Sequence, residues 1–352
     1  MPLENPEMVI LAADVGGTNL NLALATMREG RFGILRKASF PTKVEESLQG
    51  PVLRFLENCA QRGISEKPDI ACISGAGPVH DKYIPLTNAP WDIDGRALER
   101  KLGIPVHVVN DFTAVCHGIL LLDLKDESQL LTIPHLDASV PTVDPHGTAV
   151  IVGAGTGLGV GYVVRIGDTP HVFPSEGGHI GLPLLDEETI ELWKYLRASC
   201  PAAPGAESAV SGPGIGNIFS FLVDSGRIAK TSIIHSILDL PVEERPAAIA
   251  QQASLEPTCA RAMGTFVDLY ARVCADLCAV FMPRGGLFLS GGIAPKNEQH
   301  FLAGERFMKS FERNYRDHIN AITRSTPVFI VRDYSISLYG AAHAGYCQAR
   351  IG

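Results

Sequence analysis

The sequence has no Cys-x-x-Cys pair, no Gly-x-x-x-x-Gly-Lys-Ser/Thr loop, no Gly-x-Gly-x-x-Gly opening a helix and no stripe of Lys and Arg. The last absence, with a formal net charge of -8 and a pI near 5.8, argues against a general nucleic-acid binder, because neutralising phosphates takes clustered cations. The missing loops remove the P-loop reading and weaken the dinucleotide one. Eight cysteines (59, 72, 116, 200, 259, 274, 278 and 347) are scattered, so they specify neither a disulfide framework nor a zinc site. Such usage suits small buried thiols in a reducing cytoplasm, and no charged secretory leader opens the sequence.

Long apolar runs are scarce too. The stretch 147–164 is uncharged over 18 residues, long enough to be weighed as a membrane span, but six glycines interrupt it and no basic cluster flanks it. No membrane partner is expected. What the chain does have is a globular balance, 46% hydrophobic and 19% charged, over 352 residues, which suits two domains. The expected division is 1–121 plus 332–352 against 122–331, both α/β.

The first strand is expected over 8–15, and Gly16-Gly17-Thr18 breaks it before alternation resumes with Leu20, Leu22 and Leu24 on one side. Glycines at such a turn let a phosphate approach the backbone N–H groups, and the Thr18 hydroxyl adds a donor. A plain hairpin also favours Gly-Gly. A third strand over 31–40, a helix over 44–61, a strand over 69–74, a proline-broken loop over 75–91 and a helix over 94–102 follow. The apolar residues Val106, Val108 and Val109 then deliver Asn110 and Asp111 to the carboxyl end of a strand, where ligands collect in open α/β sheets. A carboxylate at that place can also cap a helix.

Residues 120–147 read as loop and carry the first domain crossing. The opening pattern then recurs: laying Gly17-Thr18 over Gly155-Thr156 matches Leu20 and Leu22 with Leu158 and Val160. This overlay puts Val152 where the first copy has Asp14, so one hairpin alone carries a carboxylate able to face a metal ion. Beyond it the pattern predicts helices over 187–199, 215–222, 231–250, 255–282 and 301–314, strands over 286–290 and 327–331, and a small-residue helix over 337–350 that returns to the first domain.

Taken in order, Ala13-Asp-Val-Gly-Gly-Thr-Asn19, Asn110-Asp-Phe-Thr-Ala114, Gly153-Ala-Gly-Thr-Gly-Leu-Gly-Val160, Glu176-Gly-Gly-His179, Glu207 with Ser211-Gly-Pro-Gly214, and Ser290-Gly-Gly-Ile293 resemble the bacterial-type glucokinase family. The resemblance covers most of the chain. It implies a two-domain actin-like (ribonuclease H-like) sugar kinase fold with the active-site cleft between domains, using ATP and Mg2+ on glucose. Carried over residue by residue, it implies Asp111 as general base, with Asn110, Glu176, His179 and Glu207 holding sugar hydroxyls. Asp14 would hold Mg2+ through water. Gly16, Gly17, Thr18 and Asn19 would meet the terminal phosphates from one side and Gly155, Thr156 and Gly157 from the other. Gly212, Gly291 and Gly292 would line the adenosine pocket, and the assembly would be a homodimer.

The chemistry of the residues agrees with a neutral polyol: carboxylates accept from hydroxyls, while amide and imidazole N–H groups donate to them. An acid substrate would call for Arg beside the reacting group, and none of these motifs contains one. Two departures stand out. Asp81 occupies a position where the family usually has Gly, and Gly181-Leu182 is less polar than in some relatives. The Cys-rich zinc motif of the repressor and open-reading-frame kinase branch is absent. Broader hexose specificity, a non-catalytic sugar-responsive regulator and an assembling actin-like ATPase are the alternatives; a regulator needs neither Asp111 nor Asp14.

Overall fold

The protein is described by a computed structural model over residues 7–28, 31–86, 89–167, 169–226, 231–333 and 335–350. Its apolar opening run forms β1 (Met8–Val15), followed by antiparallel β2 (Asn19–Arg28) and β3 (Arg31–Pro41). α1 (Gln49–Gln61), β4 (Ile70–Gly75), a short ribbon of β5 (Tyr83–Ile84) and β6 (Ile93–Asp94), α2 (Gly95–Leu102), β7 (Val106–Asn110) and α3 (Asp111–Ile119) complete this stretch. The expected helix over 44–61 starts five residues late, for a local reason. Thr42 donates from its hydroxyl to Gly16 O and from its amide to Thr18 O, which fixes the chain against the first turn and keeps it out of the helix. Asp94 caps α2 by accepting from Ala97 N–H, and Gly103 at φ +68° ends it.

The second stretch runs through β8 (Leu130–Thr132), β9 (Ala149–Ala154), β10 (Leu158–Ile166), β11 (Thr169–Ser175), α4 (Glu187–Ala198), α5 (Gly212–Asp224), α6 (Ser232–Leu238), α7 (Arg245–Gln252) and α8 (Pro257–Phe281). β12 (Gly286–Ser290), α9 (Ile293–Lys296), α10 (Glu298–Leu302), α11 (Arg306–Phe311), α12 (Asp317–Arg324), β13 (Val328–Val331) and α13 (Ile336–Ala349) follow. The uncharged stretch 147–164 is thus a buried hairpin, and no described helix is long and apolar enough to cross a membrane. The expected helix over 301–314 is broken, because Gly304 and Glu305 both take left-handed φ, +60° and +58°. β8, β11 and α12 were not anticipated.

The chain divides into two compact units: residues up to Asp123 together with those from Asp333 onward, and Leu124–Arg332. The sheet of the first unit has the order β3-β2-β1-β4-β7, and that of the second β11-β10-β9-β12-β13-β8. Apart from the added edge strand β8, the two orders are the same. Strand pairing also fixes which positions correspond. Asp14 pairs with Ser74 on β4, and Gly153 pairs with Ser290 on β12. The overlay read from the sequence is therefore corrected by one residue: Gly153, not Val152, is the counterpart of Asp14. The slip arises in the turns, since Val15 pairs with Leu20 across four residues and Ala154 with Leu158 across three.

Period-two alternation sets the faces of β1. Leu11, Ala13 and Val15 join α1 and α2 residues in one core cluster, while Ile10 and Ala12 pack with Leu338, Ala341, Ala342 and Tyr346 of α13. Asp14 belongs by parity to the α13 face. α3 and α13 meet so closely that a Cβ on Gly340 would lie 1.7 Å from Ala114 O, and one on Gly118 2.3 Å from Ile336 O. Only glycine fits at either crossing.

Candidate active site

In the first unit, the β1–β2 turn ties down its carbonyls and leaves donors over. Gly16 N–H donates to Asn19 O at 2.9 Å, while Gly16 O and Thr18 O both accept from Thr42. Among the described residues nothing accepts from the amides of Gly17 and Thr18, so two consecutive N–H groups are available to an anion. Below this turn both oxygens of Asp14 accept from serine hydroxyls, Oδ1 from Ser74 at 3.0 Å and Oδ2 from Ser337 at 2.7 Å. The carboxylate is thereby held in one orientation while keeping a lone pair on each oxygen. Such a single fixed carboxylate suits a hydrated Mg2+, which keeps most of its water shell and demands no all-protein cage.

Asn110 ends β7 and caps α3: its side-chain carbonyl accepts from Phe112 N–H at 2.9 Å and Thr113 N–H at 3.4 Å, and its amide donates to Gly77 O at 3.2 Å. The capping role weighed for the carboxylate therefore falls on Asn110, whose side chain also bonds the Asp111 carboxylate. Asp111, the first helical residue, accepts from Phe112 N–H at 2.7 Å through Oδ1. Burial raises the proton affinity of its carboxyl above the ordinary aspartate range; the Phe112 N–H works against that rise, and the negative charge of Asp14 adds to it. A carboxylate in that condition is a better proton acceptor than a solvated one.

In the second unit the β9–β10 turn repeats the arrangement with other partners. Gly155 O accepts from Gly212 N–H at 2.7 Å, Gly157 O from Gly155 N–H at 2.8 Å, and Leu158 N–H donates to Glu207 Oε2 at 2.8 Å. The amides of Thr156 and Gly157 have no acceptor among the described residues. Gly212, Gly291 and Gly292 converge on the same place. A Cβ on Gly291, at φ +80°, would lie 2.5 Å from Ala154 O, and one on Gly212 3.3 Å from Gly155 O, while Gly292 leads into α9. Glu176 precedes and His179 ends a 3-10 turn, both with largely exposed side chains, Oε2 and Nε2 being 3.7 Å apart. Ala206 N–H donates to Ile180 O at 2.7 Å, which brings the Glu207 segment against that turn.

Sequence reasoning missed Thr42, Ser74 and Ser337. A signal for Ser74 existed, since Ser74-Gly75 and Ser290-Gly291 both end a parallel strand beside a hairpin. Asp81 sits at φ +51°, next to Lys82 at +66°, in the left-handed region that explains why glycine is usual there. His117, His343 and Cys347 also gather within 4.8 Å, but Cys347 Sγ is 3.9 and 3.8 Å from the two ring nitrogens of His343. An ion on one nitrogen's in-plane lone pair would hold the sulfur far from the other nitrogen. The cluster is a packed pair of rings with a thiol beside one of them. Burial, then the His343 charge, depress the His117 pKa to about 3.

Two sheets of one strand order, each presenting an amide-bearing turn, define an actin-like ATPase fold of the sugar-kinase kind. The comparisons with known proteins agree. A solved glucokinase from an Antarctic psychrotroph is 28% identical, with a TM-score of 0.81 over 96% of this chain and 99% of that one. A Streptomyces griseus ROK family glucokinase, solved in complex with glucose and AMPPNP, shares the fold at 20% identity, with a TM-score of 0.60 over 98% and 100% of the two chains. The Synechocystis sp. glucokinase is 33% identical over 94% of this chain and 96% of its own length. A sequence model of the glucokinase family matches residues 11–347, and the chain belongs to that family, the ATP-dependent hexose kinases.

Proposed function

We propose that the enzyme transfers the terminal phosphoryl group of ATP to the 6-hydroxyl of D-glucose, giving glucose 6-phosphate and ADP. The observation that carries this reading is Asp111, a carboxylate at a strand end with proton affinity raised by burial and by Asp14. Asp111 accepts the 6-hydroxyl proton as that oxygen attacks the γ-phosphorus in line. Glu176 and Glu207 accept from other hydroxyls, while His179 and the side-chain amide of Asn110 donate. Gly16, Gly17, Thr18 and Asn19 meet the terminal phosphates, as do Gly155, Thr156 and Gly157; Gly212, Gly291 and Gly292 line the adenosine. Asp14 would hold Mg2+ through water, where the ion would offset the negative charge of the phosphates.

A transferred phosphoryl group must be kept from water, so hexose binding should precede productive alignment of ATP. The eight cysteines are all free thiols, which supports a cytoplasmic setting. A homodimer is proposed on the family likeness alone. The test is coupled-assay turnover on a panel of hexoses with MgATP, for the wild type and for Asp111→Asn. Turnover on glucose alone, lost in the variant, supports the full reading. Equal rates on several hexoses would replace glucose with hexoses at large. No turnover despite calorimetric sugar binding would make the protein a sugar-responsive regulator.

A further inference from the structure

Glu207 has two oxygens with different surroundings. Oε2 accepts from Leu158 N–H at 2.8 Å, and it lies so flat against the second phosphate turn that a Cβ on Gly157 would approach it to 2.6 Å. Oε1 has no hydrogen-bond partner among the described residues. The segment carrying Glu207 grips the turn again at its start, where Gly212 N–H donates to Gly155 O at 2.7 Å. Ser211 Oγ donates to Glu207 O at 2.8 Å and accepts from Gly214 N–H at 3.0 Å, locking the two grips into one piece. The Glu176–His179 segment presses on the same strand, since a Cβ on Gly178 would lie 1.8 Å from Leu158 O.

We propose that Glu207 is a positioning residue for the second phosphate turn, and that hexose occupancy at its Oε1 raises nucleotide affinity through the hold of its Oε2 on Leu158 N–H. This rests on the reading of Glu207 as a sugar ligand. The physical ground is that both oxygens hang on one planar carboxyl carbon and cannot move independently. A sugar hydroxyl that fixes Oε1 fixes Oε2, and with it the turn whose Thr156 and Gly157 amides await phosphate. The ordering needed by the nucleotide is then already done when it arrives. By linkage the effect is reciprocal: nucleotide must tighten hexose binding by the same factor.

The experiment is calorimetry on the full chain with Mg2+ and AMPPNP, with and without glucose, for the wild type, Glu207→Ala and Glu207→Gln. In the wild type, glucose should tighten nucleotide binding about 10-fold, within the usual range of such couplings. Glu207→Ala should weaken sugar-free nucleotide binding about 10-fold, as expected for a lost charge-assisted hydrogen bond, and reduce the coupling below about 2-fold. Glu207→Gln keeps an amide oxygen for Leu158 N–H, so sugar-free nucleotide affinity should return to within about 3-fold of wild type while glucose binding stays weak.

Unchanged sugar-free nucleotide affinity in Glu207→Ala would overturn the proposal and leave a plain sugar ligand. Unchanged glucose affinity with weakened nucleotide would overturn it differently, by removing the sugar role and leaving a static brace. Circular dichroism checks folding. If the Ala variant is unfolded, the Gln variant decides, and wild-type coupling despite lost glucose affinity would refute the mechanism.

Discussion

The two hairpins match in backbone design and differ in chemistry. Both bind their own turn carbonyls and leave two consecutive amides open, yet Asp14 pairs with Ser74 in one sheet and Gly153 with Ser290 in the other. Ser74 has the Asp14 carboxylate to donate to, whereas Ser290 Oγ is buried without a partner among the described residues. The same register extends to the neighbouring strands. Ile73 pairs with Val108 and Leu289 with Ile330, so Arg332-Asp333 correspond to Asn110-Asp111. In the first copy those residues are the proposed base and its cap. In the second, Arg332 forms two bonds to Glu298, at 2.6 and 2.7 Å, and Asp333 accepts from Ser335 N–H. One duplicated scaffold carries acid–base groups in one copy and backbone donors with structural ion pairing in the other.

The largest break in this comparison comes from the base. Asp111→Ala should lower kcat by about 10²- to 10⁴-fold in a coupled assay, the usual worth of a positioned base. Asp333→Ala should change it by no more than about 2-fold, because the Asp333 carboxylate serves the local turn at Ser335 N–H and no proposed ligand group. Equal losses in the two variants would mean that the copies divide the chemistry otherwise. Next comes the serine pair. Ser337→Ala frees one oxygen of Asp14 and should raise the Mg2+ concentration for half-maximal rate about 10-fold, a typical effect of removing a group that orients a ligand.

The pH dependence follows from burial. Because the Asp111 carboxyl is raised, the acid limb of kcat/KM should lie above the ordinary aspartate range, and the limb should vanish in Asp111→Asn. The sign for stability is the reverse. A raised carboxyl pKa in the folded state favours the protonated form, so stability present below the ordinary aspartate range is lost as pH rises from there through the folded value. Asp111→Asn should therefore melt higher than wild type at neutral pH, with the gap closing as pH falls through the folded value and gone below the ordinary aspartate range. A lower melting temperature for the variant at pH 7 would contradict the burial argument.

The smallest effect is expected at Ser290. Removing a buried hydroxyl that makes no hydrogen bond should be neutral or stabilising by up to about 1 kcal/mol, read from denaturant midpoints. The same change at Ser74 removes a bond to Asp14 and should be destabilising by about 1 kcal/mol.

The hairpins were legible because their strands are continuous apolar runs broken by glycines, and β7 because three valines lead into a capping Asn-Asp pair. The register between the two copies was not legible, since turn length is invisible to an overlay of glycines and one residue decides which side chain stands beside the serine. β8 has three residues and β11 contains two prolines, so neither offers a period; both gain their place from pairing with β13 and β10. At the site, residue types announced Asp111 and Asp14. What holds Asp14 and the turn beside it, Ser74, Ser337 and Thr42, is scattered through the chain and becomes visible only when strands and α13 come together. Glu207 was read as a sugar ligand, and its bond to Leu158 N–H had no signature in the sequence.

The return of α13 to the first unit bears on how the protein is made. A ribosome that has released the residues of α3 has supplied every strand of the first sheet, but not the helix that covers Ile10 and Ala12 and brings Ser337 to Asp14. The whole second unit must be translated before that helix emerges. Nascent first-unit sheet therefore waits with an uncovered apolar face, a target for chaperones, while Leu124–Arg332 can fold as it appears. Docking of the last helix, not completion of the catalytic strands, is the step at which Asp14 acquires its second serine.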